Sequence, residues 1–185
     1  MVAETAQSPY NPNVTQPTLF LLVGYPGSGK TTSSKFIHEL TGAEHIWADR
    51  ERRNMFGEPT HTPLESRKLY DHLNDTTDRL LAQGKSVIFD TNFNFYKDRQ
   101  HLRDIAASHN AKTVVVWITT PKETAKQRAV HERTLRNFYE YILPEADFER
   151  LSNHLEPPQD DERPIKLDGT RITAEIVQQA LAEVL

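Results

Sequence analysis

Cysteine is absent from the sequence, which excludes disulfides and any metal site built on thiolates. No apolar run approaches the roughly 20 residues that a membrane-spanning helix needs. The start of the chain also lacks the basic and apolar segments of a secretory signal, so we expect a cytoplasmic protein that does not enter a membrane. Basic residues are not in excess: 22 Lys plus Arg face 26 Asp plus Glu, a formal net charge of −4. That balance argues against a protein that coats nucleic acid nonspecifically, while leaving room for a small local basic site. The eight histidines fall in no H-E-x-x-H or other metal spacing. There is no G-x-S-x-G nucleophile elbow, no N-K-x-D guanine signature, no internal repeat and no internal linker.

What is present is an alternation of strand and helix. Residues 1–17 are rich in Pro, Asn, Gln and Thr and have no apolar period, so they read as a flexible N-terminal tail. From residue 18 onward, "TLFLLVG" is a continuous apolar run, as a strand buried on both faces should be. "KTTSSKFIHELTG" follows as a helix with Phe36, Ile37 and Leu40 on one face and Gly42 closing it. "HIWAD" is a short second strand, and "TPLE" at 62–65 reads as a capping box with Pro63 at the first helical position. That helix extends to about residue 83, with Leu69, Leu73, Leu80 and Leu81 inward. "SVIFD", "KTVVVWIT" and "PIKL" supply three more strands, with a helix over about 97–109 between the first two. "TAEIVQQALAEVL" is a closing amphipathic helix. Strands separated by helices predict an α/β fold: a five-stranded parallel sheet with helices on both faces. One folded domain is expected over 18–185, with a charged helical segment at about 121–155.

"VGYPGSGKTT" carries the strongest chemical signal. Gly24, Gly29, Lys30 and Thr31 fit G-x-x-x-x-G-K-[ST], after a buried strand and at the start of a helix, the context a phosphate-binding loop requires. Gly24, Gly27 and Gly29 let the backbone turn its N–H groups inward toward phosphate oxygens. The helix N-terminus adds its positive end. Lys30 offers a point charge for the β- and γ-phosphates, and Thr31 a hydroxyl for Mg²⁺. Gly24, Gly27, Ser28, Gly29, Lys30, Thr31 and Thr32 are thus the candidate nucleotide-binding residues.

In open α/β sheets, ligands bind beyond the carboxyl ends of the strands. Asp90 ends "SVIFD" and has the form of a Walker B acid, able to hold Mg²⁺ or one of its waters; the alternative is a turn former or helix cap. Asp49 ends "HIWAD", and Arg52 follows it by three positions. Phosphoryl transfer to a hydroxyl needs a carboxylate to accept the proton and a cation to hold the acceptor, and these two residues supply both. The competing reading is a solvated helix start with a surface ion pair.

"GYPGSGKTT", "ADRERRNMFGE" and "VIFDTNFN" together resemble the P-loop kinases related to phage 5′-polynucleotide kinase, with zeta-type toxins and chloramphenicol phosphotransferase as broader relatives. The resemblance runs over about residues 18–168. It implies an adenylate-kinase-like fold with a helical lid, ATP and Mg²⁺ as cofactors, Asp49 as general base and Arg52 as holder of the acceptor. It also implies that Asp90, Thr91 and Asn92 organise the far wall of the site. "TPKETAKQRAVHER" resembles the segment leading into the family's lid, whose arginines close over the γ-phosphate; Arg128, Arg133 and Arg136 are the candidates, with Arg133 preferred. "LEPPQDDE" resembles the family's Glu-Pro-Pro segment. The lid region also reads as a merely solvated charged helix pair.

Phe93, Phe95 and Tyr96 could stack on a nucleobase, but hydrophobic cover for the sheet edge is the preferred reading; Trp47 and Trp117 read as packing. Arg50, Arg52, Arg53, Arg67 and Lys68 could form a basic path or be ordinary helix charges. The expected activity is transfer of phosphate from ATP to an alcohol. The acceptor would be the 5′-hydroxyl of a nucleic acid or nucleotide-like molecule, or else a small molecule such as an antibiotic, sugar or nucleotide-sugar. A nucleotide-dependent switch with no acceptor is the third reading.

Overall fold

The computed structural model describes residues 16–132 and 143–185. Most of the expected tail (1–15) therefore lies outside the described residues, as do Arg133 and Arg136. Five strands form one sheet: β1 (Thr18–Val23), β2 (Glu44–Trp47), β3 (Val87–Asp90), β4 (Lys112–Ile118) and β5 (Ile165–Leu167). Their order is β2-β3-β1-β4-β5, and every neighbouring pair is parallel. This is the expected five-stranded parallel sheet of a phosphate-loop fold. β1 sits at its centre, with all six residues buried.

Because side chains alternate along a strand, β1 feeds two cores. Leu19, Leu21 and Val23 enter a cluster with Leu69, Leu73, Phe89 and Leu102. Phe20 and Leu22 enter a second cluster with Ile37, Ile88, Val116 and Val177. The first is roofed by α3 (Pro63–Ala82) and α4 (Tyr96–Ser108), the second by α1 (Lys30–Thr41) and α7 (Ala174–Leu181). Ile37 is the inward anchor of α1, whereas Leu40, expected on the same face, is 38% exposed. Three positions turn it about 60° round the helix from Ile37, and it is not among the residues of the cluster that Ile37 enters.

Helix boundaries have local causes. Gly42 takes the left-handed conformation and donates its N–H to the His38 carbonyl, ending α1. Thr62 accepts the Glu65 N–H at the start of α3. The reciprocal half of the expected capping box does not form, because the Glu65 carboxylate is taken by Thr60 and Arg52. α2 (Ala48–Phe56) begins directly after β2, which places Asp49 in the first turn of a helix rather than at a strand end. The charged region after β4 is helical as expected: α5 (Lys122–Lys126), a π-helical turn (Gln127–His131) and α6 (Glu145–Asn153). Lys122 and Lys126 bond to Glu149, and Lys126 also to Glu145, all at 2.8 Å, which staples α5 to α6.

The residues between α6 and β5 form a strap over α4. Arg99 and Glu162, both fully buried, pair through two short bonds of 2.6 and 2.9 Å. The same guanidinium donates to the carbonyls of Phe93, Glu156 and Pro157. Glu156 in turn accepts the Tyr96 N–H at 2.6 Å, capping α4 from a distant point in the chain. Among the described residues, no helix is long and apolar enough to cross a membrane. Removing one member of a buried pair leaves the other charge uncompensated, so Arg99→Ala should lose ~3–5 kcal/mol of stability in urea unfolding. Arg99→Met combined with Glu162→Leu should lose less.

Candidate active site

The parallel register brings the carboxyl ends of β1, β2 and β3 to one edge of the sheet, with Trp47 paired to Asp90. The loop from β1 to α1, the first turn of α2 and the segment after β3 therefore converge. Gly24, Gly27 and Gly29 all have positive φ, at 153°, 77° and 108°, which is the reason these three positions are glycine. Gly29 stands at the N-cap of α1 and no side chain caps the helix. The first N–H groups of α1 are thus left for an outside acceptor, which suits an anion.

Lys30 is buried, and its ammonium donates to the carbonyls of Gly24 (2.9 Å) and Tyr25 (2.8 Å). Burial pushes its pKa down to about 8, against the opposing attraction of Asp90 and then Asp49. Ser28 is fully buried; its N–H donates to the Tyr25 carbonyl at 3.0 Å, and its hydroxyl has no partner among the described residues. Thr31 and Thr32 are half-buried on the first turn of α1. The loop is braced from behind: Thr120 Oγ1 donates to the Ser28 carbonyl at 2.7 Å. Gly169 packs against the same pair so closely that an added Cβ would collide with both.

The two expected acids do gather here. Asp90 is buried and its Oδ2 meets His45 Nε2 at 3.1 Å. Asp49 is exposed, with Asp90, Lys30, Arg52 and His61 near enough to act on its charge. Lost hydration raises its pKa first, and the like charge of Asp90 second; Lys30, Arg52 and His61 pull the other way. Arg52, on the same helix, is buried and donates to Glu65 at 2.6 Å, with Ser66 at 3.4 Å. Glu65, held by Thr60 as well as Arg52, is pushed down to about 2 and stays ionised as a fixed counter-charge. Thr91 is buried and hydrogen-bonded to the Tyr70 hydroxyl at 2.9 Å, while Asn92 is half-buried beside it. Arg128 lies in the π turn, a helix defect often found at functional sites, and donates to the Gly169 carbonyl at 2.9 Å.

Several supporting residues carry no short-range signature. His45 was unremarkable inside a strand, and Glu65 read only as half of a cap. Arg99 falls in the helix expected over about 97–109, in no motif. A buried partner in each case lies at least 13 positions away. Phe93 packs on Phe89 within the core at 4.9 Å, matching the preferred reading as sheet cover. Of the proposed basic path, Arg52 is committed to Glu65 and Arg50 to Glu51.

A family model described as an AAA domain matches residues 19–158. No curated protein matches the sequence. Among solved structures, a gluconokinase from Sinorhizobium meliloti 1021 is similar at 23% identity and a TM-score of 0.65, over 90% of each chain. The Pnkp1/Rnl/Hen1 RNA repair complex matches at 20% identity and 0.64, over 83% of this chain and 48% of that one. The Mycobacterium tuberculosis APS kinase CysC, in complex with AMPPNP and APS, matches at 16% identity and 0.60, over 91% and 96%. These likenesses concern the fold. They leave the phosphate loop as the feature most directly open to measurement. Lys30→Ala should weaken AMPPNP binding about tenfold or more in calorimetry, since a buried charge-assisted contact is worth ~1.5–3 kcal/mol.

Proposed function

The chain belongs to the AAA domain family, and on that premise we propose that it is an ATP-dependent phosphotransferase acting on an alcohol. One observation carries this reading: the register that pairs Trp47 with Asp90 sets two carboxylates, Asp49 and Asp90, at the sheet edge where the phosphate loop and Lys30 lie, with Arg52 one turn along the same helix as Asp49. A switch or a simple nucleotide binder has no use for a second, solvent-open acid beside an anchored arginine.

In the proposed reaction, the loop amides, the N-terminus of α1 and Lys30 hold the phosphates of ATP. The acceptor hydroxyl attacks the γ-phosphorus in line, its proton passes to Asp49, and the bond to the β–γ bridging oxygen breaks, leaving ADP. Thr31 and Asp90 offer hard oxygen donors of the kind Mg²⁺ prefers, and the ion would neutralise the phosphate charge between them. Glu65 holds one edge of the Arg52 guanidinium and so orients it toward the acceptor. α5, the π turn and α6 are the described parts of a lid over about 121–155. To reach the transferred phosphate, Arg128 would leave the Gly169 carbonyl; Arg133 and Arg136 remain the other lid candidates.

For the acceptor we favour the 5′-hydroxyl of a polynucleotide or nucleotide-like molecule, supported by "DTNFN" after β3 and by the likeness to the RNA repair complex. A small-molecule alcohol is the second reading, favoured by the net charge of −4 and by the likeness to a gluconokinase. Labelled ATP with 5′-hydroxyl oligonucleotides, gluconate and other alcohols separates them. Hydrolysis with no transfer to any acceptor would refute the phosphotransferase.

Two outcomes test the roles. Asp49→Ala should lower transfer by ~10²–10⁴-fold with ATP affinity nearly unchanged; undiminished transfer would remove Asp49 from the chemistry. The pH profile of kcat/KM should be bell-shaped. Asp49 must be ionised to take a proton, so its raised pKa moves the acid limb above the ordinary aspartate range. Lys30 must be protonated to bind phosphate, so the rate should fall as pH rises past about 8.

A further inference from the structure

A cavity of about 340 Å³ opens beside the phosphate loop, away from the acids. Its floor is Gly24 and Tyr25, one wall runs from Trp117 to Lys122, and Leu155 and Pro157 form the other. It lies on the α3–α4 side of the sheet, since Trp117 and Leu155 pack against that core. Gly24 and Tyr25, which line it, are also the residues whose carbonyls hold Lys30, and Asp49 and Asp90 stand at the same sheet edge. Cavity and acids thus flank one ammonium. β2 and β4 are three strands apart, a separation of about 14 Å at the usual strand spacing, which one elongated molecule can bridge.

The lining selects the chemistry of that molecule. Its polar side chains are already engaged: Thr119 with the Leu167 carbonyl, Thr120 with that of Ser28, and Lys122 with Glu149 and Asn153. What they leave is two aromatic rings, prolyl and leucyl surface, and two polar tips. The Tyr25 hydroxyl and the Trp117 indole N–H make no hydrogen bond among the described residues. A polyhydroxylated sugar would lose its hydration here without directed replacements. A planar heterocycle loses little and gains a stacking face, with two tips for its edge. The walls are also fixed. Lys166 sits 5.2 Å over the Trp117 ring, and Arg99 holds the carbonyls of Glu156 and Pro157.

We propose that this cavity is a nucleobase subsite for the acceptor, with Trp117 and Tyr25 as its stacking and edge-reading residues. The inference rests on the phosphotransferase reading for the word acceptor, but the site itself is tested by binding alone. The opposite side of the loop, where Gly29 meets Ile172 and Arg128 meets Gly169, is left for the donor nucleotide.

The chain has two tryptophans, so Trp47→Phe makes Trp117 the single reporter. With the donor site saturated by AMPPNP, adenosine 3′-monophosphate should quench its fluorescence saturably and gluconate should not. By calorimetry under the same conditions, Trp117→Leu should weaken adenosine 3′-monophosphate about 5- to 100-fold, the span of one base–aromatic stack. Trp117→Phe should restore most of that loss, and AMPPNP affinity should hold in both. Pro157→Ala, an exposed wall residue, provides a second variant with a smaller loss in the same ligand alone. Quenching by gluconate would overturn the proposal. So would unchanged adenosine 3′-monophosphate binding in Trp117→Leu, or a parallel loss of AMPPNP. Binding of the nucleotide with no phosphate transferred to it from ATP would instead refute the nucleotide as acceptor and leave the nucleobase-binding cavity standing.

Discussion

The pairing of Arg99 with Glu162 is the contact through which the upper half of the molecule is organised. One guanidinium, with no exposure to water, meets a carboxylate 63 positions away and three backbone carbonyls besides. A charge in that setting is tolerable only when every donor is satisfied. The requirement forces the strap from Leu155 to Glu162 down onto α4, and the loop after β3 into place beneath it. Glu156 completes the junction by accepting from the first turn of α4 and donating to Asn94. The wall of the cavity at Pro157 and the path of the chain past Asp90 both follow from this one ion pair.

At the sheet edge the organising problem is the reverse: charges that are crowded but incompletely matched. Lys30 has surrendered its water for two carbonyls, Asp49 and Asp90 repel one another across it, and Glu65 fixes Arg52. In the proposed reaction the Lys30 ammonium would turn from these carbonyls to phosphate oxygens. Preorganised charge that awaits its ligand is the usual electrostatic basis of phosphoryl transfer.

How much of this could be read from the chain depends on the range over which each cause acts. The five strands and the phosphate loop were legible because their causes are local: an apolar run, a turn that demands glycine, a helix that starts at lysine. Asp90 was legible because it ends such a run. Asp49 was placed near its true position, which is two residues past β2 in the first turn of α2. The buried partners were not legible. Glu65, His45 and Arg99 reveal their roles only through residues on other elements, and nothing in their own surroundings distinguishes them from solvated side chains. Trp117 was read as packing because it lies in a strand, and it does pack on the core; that it also borders a cavity depends on where the strap falls.

The two hydrophobic clusters share no side chain, since the alternation along β1 sends each residue to one or the other. The sheet is therefore a partition as well as a support. α1 and α7 stand on one side, and α3, α4 and the strap on the other, and the strands between them send alternate side chains to each. Volume changes in one layer need not be answered by repacking in the other. A scaffold built this way lets one face diversify through successive substitutions while the opposite face remains under its own selection.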